Sequence, residues 1–213
     1  MPPPGRPKIY RIVRVDRLAS IISANGLFCD RRARQQGGGT VIGMNEIKDR
    51  RLTLPVSCHL GTSVGDYVPF YFCSRSTMLF VIRRANNPSR SLIRAASSRL
   101  STWRQICINR SRGQTPPNIA GRSRYRMPAL AMRFCSSVDD LGEINWQAVD
   151  ATDFRQPDIK EGKQAEFLIH EIFPWALVDR IGVFSREIAQ RVGAAMMGAT
   201  HLPVVAIQRS WYY

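Results

Sequence analysis

The chain is poor in several things whose absence narrows its chemistry. It has 16 acidic residues against 31 Lys and Arg and only 3 His in 213 positions. No run approaches 18 apolar residues, so no transmembrane helix is expected. The opening MPPPGRPKIY lacks an apolar core segment, so it does not read as a secretory signal, and the expected location is the cytoplasm. The 5 cysteines are widely spaced, with no C-x-x-C pair, which argues against a disulfide framework or a structural zinc site. Cys58-His59 alone is a weak metal signal. There is no G-x-S-x-G and no H-E-x-x-H. Gly37-Gly38-Gly39 lacks the Gly-Lys-Ser/Thr of a phosphate loop, so it reads as a loop.

Arginine, by contrast, is abundant. The net charge of +15 and a sequence pI near 10.6 point to a polyanionic partner, nucleic acid before membrane surface. The charge is unevenly spread. Residues 87–133 hold 10 Arg and 7 Ser with no Asp, Glu, Lys, Val, Phe or His, and the rest of the chain carries 21 − 16 = +5. A basic nucleic-acid arm, a disordered linker and an out-of-frame stretch of GC-rich coding DNA all give this composition. Ten arginines with no acid beside them are costly to bury, so few regular strands and weak burial are expected there.

An apolar 44% supports a sizeable core in one domain, expected over 8–213 behind a loose leader at 1–7. IYRIV (9–13), VPFYF (68–72), MLFVI (78–82), QAEFLIHEI (164–172), RIGVF (180–184) and VVAIQ (204–208) read as strands. Asp16 is a candidate cap for a short helix with Leu18, Ile21 and Ile22 on one side, and Ser185 for one carrying Ile188, Val192, Ala195 and Met196. NEIKDRR (45–51) reads as one or two helical turns, EINWQAV (143–149) as helical or turn-like, and 30–40 as a flexible loop. Strands dominate without βαβ alternation, which is an α+β pattern.

Two side chains stand out. Alternation in 164–170 sets Ala165, Phe167 and Ile169 on one strand face and Glu166 with Leu168 on the other. A carboxylate there is ordinarily solvated; held in a cleft wall, it can stabilise a developing cation. Arg50-Arg51 reads either as a solvated helix end or as a guanidinium fork aimed at a phosphate or base. The turn Ser74-Arg75-Ser76 carries donors that could meet a nucleotide.

IYRIVRVDRLASIISANGL, IKDRRL, DYVPFYFCSRSTML, GKQAEFLIHEIFPWALV and the terminal WYY occur in this order. In this the chain resembles the DarT-type DNA ADP-ribosyltransferases, toxins of toxin–antitoxin pairs, over about 1–86 and 134–213. The resemblance implies an α+β ADP-ribosyltransferase-like fold with central antiparallel or mixed sheets and short helices. It implies cleavage of NAD⁺ and transfer of ADP-ribose to a base of single-stranded DNA, typically thymidine, with NAD as co-substrate and no metal. By motif match Glu166 takes the catalytic carboxylate position and Arg51 the second catalytic position. Arg11, Ile12, Val13, Ser20 and Phe28, with Arg51, would border the cofactor. The loop 33–53 would close over it, and the stretch leading to Glu166 would present the base.

The family's arginine is said to take the base proton. A side chain that stays protonated is better suited to stabilising the base anion. The implied partners are single-stranded DNA and a macrodomain antitoxin, with no membrane and a monomeric state. Three positions depart from the family pattern: Arg11 and Arg14 stand where His is usual and Val13 where Thr is. Similarity is lost across 87–133 and returns after it, as a pair of compensating frameshifts would produce. A catalytically degenerate nucleic-acid-binding protein and a protein-directed ADP-ribosyltransferase stand as alternatives.

Overall fold

The computed structural model describes residues 2–5, 7–35, 45–85, 105–111, 121–126, 132–135 and 139–213. In chain order these form β1 (Lys8–Arg14), α1 (Leu18–Ser23), β2 (Gly26–Phe28), α2 (Asp30–Gln35), α3 (Asn45–Thr53), β3 (Tyr67–Tyr71), α4 (Thr77–Ala85) and β4 (Gln105–Ser111). Then come β5 (Gly121–Arg126), β6 (Met132–Cys135), α5 (Trp146–Asp150), α6 (Pro157–Gly162), β7 (Glu166–His170), β8 (Ile172–Pro174), β9 (Arg180–Val183), α7 (Arg186–Ala195) and β10 (Val204–Ile207).

The strands build an eight-stranded sheet in the order β10-β9-β4-β1-β3-β7-β5-β6 and a two-stranded sheet of β2 and β8. The larger sheet is mixed, because β10 runs parallel to β9 while the other pairs are antiparallel. β1 and β4 pair along seven positions, from Lys8↔Ser111 to Arg14↔Gln105. β1 and β3, in contrast, share the single pair Tyr10↔Tyr71. The sheet is therefore seamed between these two strands.

Alternation sorts the apolar side chains onto both faces of the sheet. Val13, Val68, Phe70, Ile169, Ile181 and Val183 pack with α1 and α7 in the main core. Ile12 faces the other way and meets Leu79 and Tyr212, with Tyr71 and Trp211 against them. Trp211 packs closely against β9 because residue 182 is glycine: a Cβ there would stand 2.2 Å from the ring. The Tyr212 hydroxyl donates to the Gly182 carbonyl at 2.7 Å and that of Tyr213 to the Arg75 carbonyl at 2.7 Å, so the terminal WYY clasps two distant segments.

Several expectations are corrected. Residues 78–82 lie in helix α4, not a strand. Met78, Leu79 and Ile82 share one helical face against Tyr212, and the Ser76 hydroxyl accepts from the Leu79 amide at 3.2 Å as its cap. Asp16 does not cap the first helix: the residue before α1 is Arg17, which makes no side-chain cap, and Asp16 instead accepts from Arg14 at 2.7 Å. Residues 30–35 are helix α2, not loop, whereas Gly37–Gly39 lie outside the described residues. The single strand over 164–172 is two strands, broken where Glu171 adopts a φ of 56°. Helix α6 was not anticipated. Strands were expected to be scarce in 87–133, yet β4 sits between β1 and β9, and β5 pairs with β7. The expectation of weak burial there falls outside the described side chains. Ser185 does cap α7, accepting from the Ile188 amide, and Ile188, Val192 and Met196 are buried as the spacing implies.

Candidate active site

Helix α3 brings Arg51 to the sheet. Its neighbour Arg50 is exposed, but Arg51 turns inward and is 8% exposed. Glycine permits this approach: a Cβ on Gly65 would lie 2.6 Å from the Leu52 side chain and 3.3 Å from the Arg51 carbonyl. Across the gap, Glu166 opens β7 directly opposite Tyr71 of β3 and is 5% exposed. The buried pair closes at 3.0 Å between Arg51 Nη1 and Glu166 Oε2, with Oε1 at 3.4 Å. Glu166 is thus no solvated strand-face carboxylate.

A third residue joins them. Asp30, the first residue of α2, accepts from Arg51 Nε at 3.0 Å, and its side chain is 11% exposed. Nothing in DRRARQ marked it in advance. Burial alone would lower the pKa of Arg51, but Glu166 and then Asp30 override it and hold the guanidinium well above its ordinary range. Its third nitrogen, Nη2, is buried and has no hydrogen-bond partner among the described residues. A buried donor without an acceptor is costly in a closed core.

The elements around the pair are tied down. Arg31 donates through Nη2 to the Leu52 carbonyl at 3.1 Å and to Ser63 Oγ at 2.8 Å, and it pairs through Nε with Asp66. On the approach to Glu166, the buried Lys163 ammonium donates to the carbonyls of Val149 at 2.8 Å and Ala151 at 2.7 Å. The end of α5 is thereby fastened to the residues entering β7. Gly162 lets α6 close on α5, since a Cβ there would lie 2.6 Å from Ala148 Cβ.

The other expected site residues are spread over several elements. Arg11 sits on β1 beside the seam, and its Nη1 donates to the Pro69 carbonyl of β3 at 3.0 Å. Ile12 and Val13 are core side chains on opposite faces, so what they can offer a dinucleotide is backbone. Ser20 is exposed and donates to the Arg17 carbonyl of its own turn at 2.8 Å. Phe28 ends β2 with the Arg32 guanidinium 4.2 Å over its ring. Arg14 is buried and tied to Asp16. In the turn 74–76, Ser76 is wholly buried with its hydroxyl engaged as a helix cap, and Arg75 lies 4.6 Å over the Tyr213 ring. Among the described residues no group of three His, Cys, Asp or Glu could hold a metal, and no helix is long and apolar enough to cross a membrane.

A buried carboxylate held by arginine at the start of a sheet strand is an arrangement that can stabilise a developing cation. Comparison with known proteins narrows the class. The family model described as DarT, ssDNA thymidine ADP-ribosyltransferase, matches residues 10–213, and the chain belongs to that family. The DNA ADP-ribosyl transferase of Thermus aquaticus is 30% identical over 209 residues, which cover 96% of this chain and 88% of that protein. Thermus sp. 2.9 DarT in complex with ADP-ribosylated ssDNA superposes with a TM-score of 0.84 at 26% identity, over 100% of this chain and 99% of that one. The same protein in complex with NAD⁺ gives 0.81 at 26% identity, over 99% of each chain. The expected α+β ADP-ribosyltransferase fold is therefore the fold observed.

Proposed function

We propose that this chain transfers ADP-ribose from NAD⁺ to a base of single-stranded DNA, thymidine first, with Glu166 and Arg51 carrying the reaction. The observation that supports it most is the buried Arg51–Glu166 pair with the unused Nη2 beside it. The donor set fits the substrates: a fixed carboxylate for the ribose and a guanidinium edge for a base oxygen or ring nitrogen.

Loss of nicotinamide leaves positive charge on the ribose. Glu166, already desolvated, stabilises that charge and can hold a ribose hydroxyl. Arg51 remains protonated between two carboxylates, so its contribution to the base is electrostatic: it steadies the anion formed when the thymine ring proton passes to solvent, and that nitrogen bonds to the ribose carbon that nicotinamide leaves. The acceptor must be unpaired, because a stacked base cannot bring its edge to a buried group. Arg11, Ile12, Val13, Ser20 and Phe28 border the dinucleotide in this reading. Arg11, beside the seam, would offer its guanidinium to the phosphates. Lys163 fixes the stretch that presents the base. Residues 8–213 act as one transferase domain, working as a monomer in the cytoplasm and opposed by a macrodomain antitoxin.

A catalytically degenerate DNA-binding reading has one observation in its favour. Arg11, in place of the family's usual His, donates to Pro69 rather than standing open. Incubation of the purified chain with NAD⁺ labelled in the ADP-ribose moiety and with homopolymeric oligonucleotides separates the readings. Label on thymine oligonucleotides is the expected result. Retention of DNA without label would support the degenerate reading, and label on protein alone a protein-directed transferase. DNA retention should weaken steeply with salt, since released counterions supply most of such binding.

A further inference from the structure

Asp30 enters the site from an element that carries neither Arg51 nor Glu166. The two carboxylates grip different nitrogens of one guanidinium, Asp30 at Nε and Glu166 at Nη1, each at 3.0 Å. The side chains of Arg51, Asp30 and Glu166 are 10%, 11% and 6% exposed, so water competes for none of these contacts. A planar fork held at two of its nitrogens has no freedom to rotate, and the third, Nη2, keeps a fixed direction. That nitrogen is the one without a partner among the described residues.

The grip on Asp30 is itself double. Asp30 and Arg31 are consecutive on α2, and Arg51 and Leu52 are consecutive on α3. Asp30 takes the Arg51 side chain while Arg31 takes the Leu52 carbonyl at 3.1 Å. Arg31 is in turn held by Ser63 Oγ and Asp66. The orientation of Arg51 is thus referred to α2 and to the turn before β3, independently of Glu166. This independence matters, because a buried arginine facing one carboxylate alone closes on it through both ends of its fork. A carboxylate so engaged is unavailable to a ribose.

We propose that Asp30 is a positioning residue for the transfer reaction. It fixes the plane of the Arg51 guanidinium, keeps Nη2 turned toward the DNA base, and prevents Arg51 from closing on Glu166. The inference rests on the transferase reading above.

Two readouts test it. The first needs no turnover: NMR of arginine-labelled protein follows the Arg51 Nε–H, assigned by its loss in Arg51→Lys. That proton should exchange slowly in the parent and in Glu166→Gln and rapidly in Asp30→Asn, which retains the shape of the side chain but not its charge. The second is steady-state transfer to a thymine oligonucleotide. Asp30→Asn should lower kcat about 10- to 100-fold, the effect of losing one charge-assisted hydrogen bond that holds a reacting group. KM for NAD⁺ should stay within about threefold of the parent, and Asp30→Glu should recover part of the loss. A parental kcat in Asp30→Asn, or a protected Nε–H in that variant, overturns the proposal. A loss of kcat matched by an equal loss of folded protein on melting also overturns it, since Asp30 would then be merely structural. If the parent transfers nothing, the transferase reading fails, and the exchange experiment still decides whether Asp30 orients Arg51.

Discussion

At the scale of single residues, the site is a guanidinium shared by two carboxylates, and its substitutions should not behave as isolated losses. Glu166 is buried and paired, so truncation to Ala would remove packing and leave Arg51 half-satisfied. Glu166→Gln preserves the shape and should lower transfer by about a thousandfold, the scale seen when a group aimed at transition-state charge is removed. Its melting temperature should fall only modestly because Asp30 still pairs with Arg51. Transfer within tenfold of the parent, assayed with labelled NAD⁺, would remove Glu166 from the chemistry. Arg51→Lys retains the charge but replaces the planar fork with a point charge that cannot meet Asp30, Glu166 and a base together. It should lose most transfer while DNA retention at fixed salt is unchanged. A large fall in retention with normal transfer from the bound fraction would make Arg51 a phosphate anchor instead. Arg51 and Glu166 were legible in the sequence only through the order of motifs around them, since IKDRRL and KQAEFL place them while neither composition nor period does. Asp30 was not legible, because an acid opening a short helix is common and its partner lies 21 positions away.

At the scale of elements, the misreadings have physical causes. MLFVI is apolar enough for a buried strand, and a short apolar run does not distinguish strand from helix by itself. The signals that decide for α4 are its flanks: Ser76 as cap and Arg83 with Arg84 in the last turn. The break after β7 was invisible because it depends on a left-handed Glu171, whose amide donates to the Asp66 carbonyl at 2.8 Å. Asp66 also joins α2 to the turn before β3. Burial pushes its carboxyl up, but Arg31 and the amide and hydroxyl of Ser63 outweigh burial and hold its pKa below the ordinary 3.8. A depressed carboxyl contributes stability that is fully present above the unfolded value and is lost as pH falls through the folded one. Acid unfolding followed below about pH 3.8 should therefore be shallower for Asp66→Asn than for the parent. Parallel acid limbs for the two proteins would show that Asp66 does not contribute.

At the scale of the whole molecule, the sheet is assembled from pieces far apart in sequence. β4 lies between the first strand and β9, and the terminal Trp211 seats on Gly182 of β9 while its ring meets Tyr10 of β1 edge-on at 5.3 Å. Gly182→Ala would drive a methyl into that ring. It should destabilise the fold by about 1–3 kcal/mol, the usual cost of overpacking, and shift the tryptophan fluorescence. An unchanged melting temperature would mean that the WYY clasp contributes little. The α+β class and strands β1, β3, β7, β9 and β10 were legible from β-branched and aromatic runs bounded by turns, whereas β2, β4, β5 and β6 were not. The strand order was not, because pairing between distant segments leaves no local pattern. This order also bears on the Arg/Ser-rich stretch, whose strands β4 and β5 occupy interior places in the sheet.

The Arg51–Glu166 contact spans 115 positions. During translation the arginine leaves the ribosome long before its carboxylate has been made. At about 5–20 residues per second, the interval is roughly 6–23 s. Throughout that time the unfinished polypeptide lacks the Arg51–Glu166 pair, and an interrupted message yields a fragment without it. For a protein proposed to modify the DNA of its own cell, synthesis thus carries a built-in delay, within which a partner already present can meet the newly finished chain.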